Sequence, residues 1–153
     1  MENLSISSYK TVYTTGYEGR KIEEFIEYLN AYNIQRIVDV REIPLSRKKG
    51  FSKSVLRQRL ADNDIDYIHI KALGSPSYLR KKVYQDKDFD YFFEKYGEHL
   101  ETCSKELEEL YEIVNEKLSC LLCFEKEYTN CHRSAVANRV SRINGISFEV
   151  KHI

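Results

Sequence analysis

A short apolar run that empties into a cluster of reactive side chains constrains this chain more than any other stretch. The run is Leu118-Ser119-Cys120-Leu121-Leu122-Cys123-Phe124-Glu125; after Lys126 to Asn130 come Cys131-His132-Arg133-Ser134. The first part reads as a buried strand. Beyond the turn, Val136, Ala137, Val140 and Ile143 recur at helical spacing and Gly145 supplies a stop. Asn130 is a good N-cap, which puts Cys131, His132 and Arg133 in the first helical turn. Glu125, Cys131, His132 and Arg133 therefore crowd a strand-to-helix turn. The free N–H groups and partial positive charge of a helix N-terminus suit that turn to an anion.

The rest of the chain repeats the strand-then-helix theme. Thr11 to Thr15 is β-branched and aromatic, a strand, and runs into Gly16-Tyr17-Glu18-Gly19-Arg20. A helix with Ile22, Phe25, Ile26 and Leu29 on one face follows, stopped near Asn33. Arg36 to Val40 is the second strand, leading to a basic loop through Pro44 and Gly50. Ser52 caps a second helix that buries Val55, Leu56 and Leu60. Tyr67 to Ile70 is the third strand, and the polar stretch Leu73 to Ser77 breaks the pattern. From Phe89 to Val114 the apolar residues form a helical stripe that Gly97 bends or splits, and Ile146 to Val150 is the last strand. This order predicts one α/β domain over residues 1–153: three layers, a mostly parallel open sheet of about five strands, and helices on both faces.

Composition narrows the partners. At 153 residues the chain is long enough for one well-buried core. A formal net charge of +0 advertises neither a nucleic-acid duplex nor a membrane surface. The average hides a basic block between Arg41 and Arg59, fit to steer an anion, and a Glu-rich block between Glu98 and Lys117, fit to be the wet face of a helix. Met1 to Ser5 lacks the basic and apolar regions of a signal peptide, and no apolar run approaches membrane-spanning length. Four cysteines in such a chain imply a reducing, cytoplasmic setting with free thiols. The oligomeric state has no signature.

Ligands of open α/β sheets sit beyond the carboxyl ends of the strands. Here those ends carry Gly16, Tyr17 and Gly19; Asp39 and Arg41; His69; and Glu125 with Cys131 to Ser134. Each has a plainer alternative. Gly16-x-x-Gly19 lets backbone approach a phosphate, but lacks the dinucleotide fingerprint and is equally a tight turn. Asp39 and Arg41 could be an internal ion pair, and His69 a satisfied core histidine. Arg47, Lys48 and Lys49 are either solvated or a phosphate clamp. Cys120-x-x-Cys123 followed by Cys131-His132 resembles a zinc pattern, yet residues three apart in a strand point to opposite faces, so that quartet does not share one ion and no metal site is assigned. Nor do the cysteines match a phosphatase or sulfurtransferase loop, since the positions where the arginine would stand are Thr129 and Ala137. Cys131 reads either as a thiolate favoured by its cationic neighbours or as a small packing residue. No cofactor is called for; Asp39 and Glu125 could share Mg²⁺ with phosphate oxygens, on the thin ground of two carboxylates.

Several of these stretches together resemble the family catalogued as domain of unknown function 488. They are Thr15 to Gly19, Glu23-Glu24-Phe25, Val38 to Arg47, Phe51-Ser52, Tyr67-Ile68-His69, Leu73-Gly74, Leu121 to Glu125 and Cys131-His132-Arg133, within about residues 11–139. One departure is the link from Lys126 to Asn130, which lacks a proline expected near the turn. The resemblance implies that Asp39, Arg41, Arg47, Glu125, Cys131, His132 and Arg133 form one cluster. Two functions fit. In the first, an enzyme acts by hydrolysis or group transfer on an anionic small molecule or nucleic-acid component. Arg41, Arg47 and Arg133 hold the anion, Glu125 or Asp39 serves as acid or base, and His132 or Cys131 assists proton transfer or attacks. Gly16, Tyr17, Gly19, His69 and Ser134 complete the ligand-binding set. In the second, the same rim is a non-catalytic module that senses a nucleotide or nucleic-acid end.

Overall fold

The computed structural model describes residues 10–143, 145 and 148–153; Met1 to Ser5, and Ile146 at the expected start of the last strand, lie outside them. Strand β1 (Lys10–Gly16) leads to α1 (Ile22–Ala31), β2 (Arg36–Asp39), α2 (Lys53–Ala61) and β3 (Asp66–His69). Three helices follow in a row, α3 (Ser77–Asp86), α4 (Phe89–Glu101) and α5 (Ser104–Glu116). The chain then makes β4 (Ser119–Cys123), α6 (Arg133–Val140) and β5 (Phe148–His152).

The five strands form one sheet in the order β3-β2-β4-β1-β5, and every neighbouring pair is parallel. Side chains alternate across it with the strand period of two. Val12, Val38, Leu121 and Cys123 pack under Leu79, Phe92, Leu110 and Val136 of α3 to α6. Ile37, Cys120 and Leu122 pack under Phe25, Leu29, Leu56 and Leu60 of α1 and α2. The result is the expected three-layer α/β domain. Cys120 and Cys123 do fall on opposite faces. The strand order departs from the doubly wound dinucleotide sheet, because β4 lies between β1 and β2.

Several local readings need correction. Helix α3 fills a stretch with no helix expected beyond Ser77; Leu79 anchors it, buried against the core. The long helical stripe divides at Thr102 and Cys103, not at Gly97. Gly97 stays helical, with its carbonyl accepting from Arg139; Thr102 ends α4 by donating its hydroxyl to the His99 carbonyl, 2.6 Å away. Val55 is exposed, because α2 turns only Leu56 and Leu60 inward. Asn130 is not the cap of α6: Tyr128 to Asn130 form a 3₁₀ turn, Cys131 is extended, and the helix begins at Arg133 with His132 at the N-cap. Among the described residues no helix is long and apolar enough to cross a membrane.

Strand β4 is buried along its whole length, so its packing is sensitive to truncation. Leu121→Ala, at a side chain with 0% exposure, is expected to cost about 2–5 kcal/mol, read as a lower urea midpoint. Tyr84→Ala, at a side chain 79% exposed, should stay within about 0.5 kcal/mol of the parent.

Candidate functional site

The carboxyl ends of β1, β4 and β2 lie side by side, and the chain leaving them encloses a cavity of about 1030 Å³. Tyr17 and Glu18 come from β1, Arg41 and Glu42 from β2, and Cys123, Phe124 and Glu125 from β4. His132 joins them from the start of α6, Arg47 from the basic loop and Arg80 from α3. The wall is thus assembled from segments far apart in sequence.

Two glycines make this closeness possible. A Cβ on Gly16 would stand 1.7 Å from the Glu125 carbonyl oxygen, so only glycine lets β1 pass the end of β4. The Tyr17 and Glu18 amides then donate to the carbonyls of Cys123 and Phe124, at 3.3 and 2.9 Å. A Cβ on Gly74 would meet Glu42 backbone at 2.2 Å, which seats the Leu73-Gly74 stretch against the exit of β2. Gly16 serves this packing and does not line the cavity. Gly19, at φ 80°, forms a turn whose face lies in a second, smaller hollow beside Glu24 and Lys126.

Asp39 is an internal partner, not a free carboxylate. It is fully buried; Oδ1 accepts from the Arg41 amide and Nε at 3.1 and 2.8 Å, and Oδ2 from Arg41 Nη2 and the Tyr67 hydroxyl at 2.7 and 2.5 Å. Arg41 Nη1 continues to the Tyr17 hydroxyl and the Phe51 carbonyl, at 3.2 and 2.7 Å, and Tyr17 stacks on Phe51 with centroids 4.3 Å apart. Burial by itself lowers the Arg41 pKa, but the hydrogen bonds and charge of Asp39 raise it overall. The Tyr67 phenol is pushed up by burial and then by Asp39. With its oxygens so engaged, Asp39 is not placed to share Mg²⁺ with Glu125 or to move protons. His69 donates through Nε2 to the Arg41 carbonyl at 2.8 Å, the satisfied-histidine alternative, and lies outside the cavity lining.

Arg133 likewise turns inward. It is fully buried, with Nε donating to Thr14 Oγ1 at 3.1 Å, Nη2 to the Lys126 carbonyl at 3.2 Å, and Nη1 to the Glu125 carbonyl. It holds the turn and does not line the cavity, and Ser134 beside it donates to the Cys131 carbonyl at 3.0 Å. Cys131 is joined to Cys123 in a disulfide, so those two thiols are not free; Cys103 and Cys120 are. The pairing follows from the turn, which returns the chain to the end of β4 eight residues on. Joined in this bond, Cys131 is not a thiolate nucleophile.

Of the acid–base candidates named from the sequence, Glu125 and His132 remain against the cavity. Glu125 is half-buried, and burial raises its carboxyl pKa. His132 is buried, and burial lowers its pKa to about 4. Because the Val40 carbonyl can only accept, His132 Nε2, 2.6 Å from it, carries the proton; the Nδ1 lone pair then faces Cys131 Sγ at 3.8 Å. The sequence reading missed Arg80, which donates from Nη1 to Glu42 Oε1 at 3.0 Å and to the Ser75 carbonyl. It also missed Phe124 and Tyr84 as exposed aromatic lining. Arg80 and Tyr84 lie on α3, and the run of helix formers after Pro76 was the signal for it.

The chain matches the family described as Domain of unknown function DUF488 over residues 21–140. It belongs to that family. The match begins after the Thr15 to Gly19 stretch and includes Asp39, Arg41, Glu125 and the Cys131-His132-Arg133 element. No curated protein and no solved structure matches it.

Asp39→Asn removes one partner of a buried ion pair and leaves Arg41 uncompensated, an expected loss of about 3–5 kcal/mol in urea unfolding. His132 gives a pH signature. Above its ordinary value of 6.5 the ring is neutral folded or unfolded, and its contribution to stability is complete. As pH falls from there toward about 4, the unfolded chain binds a proton that the folded chain refuses, and stability is lost. The loss reaches about 3 kcal/mol. Urea midpoints taken between about pH 7 and about pH 5 should fall more steeply for the parent than for His132→Gln. Glu125 is common to both proteins and cancels in that comparison.

Proposed function

We propose that the cavity binds a nucleotide or a nucleic-acid component and that Glu125 is the proton-transfer group of hydrolysis or group transfer on it. One observation carries this reading: a half-buried carboxyl with a raised pKa lines the same cavity as three arginines and a set of aromatic rings. A carboxyl raised by burial holds its proton closer to neutral pH, which is what a general acid requires. Arg47, exposed at the mouth, and Arg80, half-buried, supply forked donors to phosphate oxygens. Phe124 and Tyr84, 43% and 79% exposed, offer ring faces to a base. The volume suits a ligand of nucleotide size.

Charge argues against a duplex. The lining balances Arg41, Arg47, Arg80, Lys81 and Lys87 against Glu18, Glu42, Glu125 and Glu127, and Arg41 is already matched by Asp39. One phosphate fits that balance better than a duplex, whose affinity rests on many phosphate contacts. The non-catalytic module stays as a second reading, favoured by one fact: Asp39, a candidate acid or base, is spent on internal hydrogen bonds.

Calorimetric titration with mononucleotides and short single strands, paired with chromatographic assay of the same ligands for turnover, separates the two. Arg80→Ala and Arg47→Ala should each weaken affinity by about tenfold or more, the worth of a hydrogen bond to a charged group. Glu125→Gln should keep affinity and lower turnover by about 10²–10⁴-fold. Binding without turnover by the parent leaves the module; no binding of any nucleotide sinks both.

A further inference from the structure

We propose that Cys123, Cys131 and His132, with the cysteines reduced, form a three-ligand site for a thiophilic divalent cation, zinc foremost, in the wall of the cavity. Among the described residues they are the one group of three or more such side chains whose ligand atoms gather, all within 4.8 Å of one another. A tetrahedral zinc bound by sulfur and nitrogen spaces its ligand atoms about 3.5–3.8 Å apart. His132 Nδ1 and Cys131 Sγ are already 3.8 Å apart.

The surroundings fit a ligand set. His132 Nε2 donates to the Val40 carbonyl, the outer hydrogen bond that fixes the tautomer of metal-bound histidines, and this aims the Nδ1 lone pair at the sulfurs. Arg133 Nη1 stands 3.6 Å from Cys123 Sγ, a charged donor for a thiolate. The Cα atoms of Cys123 and Cys131 are 7.5 Å apart, beyond the roughly 4.4–6.8 Å that disulfides usually span, so the sulfurs have room to part around an ion. Cys120 takes no share, since it faces the opposite layer. Two thiolates and an imidazole select zinc over hard cations.

Cys123 and His132 both border the cavity, so the fourth coordination position opens into it, the pattern of a catalytic rather than a structural zinc. Glu125 is adjacent, its Oε1 3.5 Å from Cys123 Sγ. Loading from the disulfide needs a dithiol reductant. It delivers two electrons and two protons, the S–S bond breaks, and the reductant becomes a disulfide. Metal entry then forms two S–metal bonds and releases the two thiol protons. The joined and metal-bound forms exclude each other. This inference goes beyond the nucleotide reading and does not rest on it: either can fail alone.

The test uses the full chain, reduced with a phosphine, freed of metal and titrated with Co²⁺ as a spectroscopic stand-in for Zn²⁺. Thiolate-to-cobalt charge-transfer and tetrahedral d–d bands should saturate at one equivalent, and one equivalent of Zn²⁺ should erase them. Protein oxidised to the disulfide should show neither band. Cys123→Ser and Cys131→Ser, checked for folding by circular dichroism, should lose most of the charge-transfer intensity. If either fails to fold, the double variant Cys103→Ser/Cys120→Ser decides: full retention of the spectrum supports the site, and its loss overturns it. Absence of the bands in folded, reduced parent protein also overturns it, whatever the nucleotide titrations show.

Discussion

The turn after β4 is held by a cation that solvent does not reach, and the cavity depends on it. Arg133 has no exposed surface, and its donors go to Thr14 and to the carbonyls of Glu125 and Lys126. Burying a guanidinium is costly unless its hydrogens are matched. Burial does lower its pKa, with the nearest carboxylates only partly offsetting this. In return, Arg133 adds to the disulfide and the Glu18 amide a link from the turn's carbonyls to Thr14 of β1. The bare backbone of Gly16 completes the arrangement, because β1 touches the Glu125 carbonyl where any side chain would intrude. The place of Glu125 in the cavity wall thus follows from an arginine and a glycine that are not themselves exposed in it.

Asp39 and Arg41 do the same for the exit of β2. A carboxylate held from two sides by one guanidinium, and further by a phenol, has a fixed orientation. It presents Arg41 and Tyr17 to the cavity with their geometry already set. Charges therefore divide by depth. Asp39, Arg41 and Arg133, with partners inside the protein, shape the backbone; Arg47 stays exposed at the cavity mouth, and Arg80, half-buried, is held by Glu42 and the Ser75 carbonyl.

The layer architecture was legible because its signal is periodic and local. The strands at Thr11, Arg36, Tyr67 and Leu118 each carry β-branched or apolar residues at a spacing that no helix shares, and the rule placing ligands at strand ends located the cavity. What escaped detection was relational. Nothing in the order of residues says that Arg133 points inward and Arg47 outward, since both are arginines beside glycine- or serine-bearing turns. Asp39 and Arg41, two apart, were readable as a pair or as two site residues; the Arg41 guanidinium turned back onto both Asp39 oxygens, with the Tyr67 hydroxyl from the neighbouring strand beside it, decides for the pair. Helix α3 was missed because its hydrophobic face is narrow, with Leu79 its one buried residue. With it went Arg80 and Tyr84. The pairing of Cys123 with Cys131 was hidden by the nearer, misleading match of Cys120 with Cys123.

The strand order has a consequence for how the molecule is made. β1 and β2 flank β4 and do not touch each other, yet β4 is encoded more than two-thirds of the way along the chain. A polypeptide emerging from the ribosome completes both outer neighbours long before their shared middle exists. Through that interval each has an open edge, and the hairpin-like local contacts that speed other folds are missing. Synthesis of Ser119 to Cys123 is thus the moment at which the sheet can first close. The turn that carries Cys131 follows eight residues after Cys123, so the cavity takes shape only once both outer neighbours of β4 are already made.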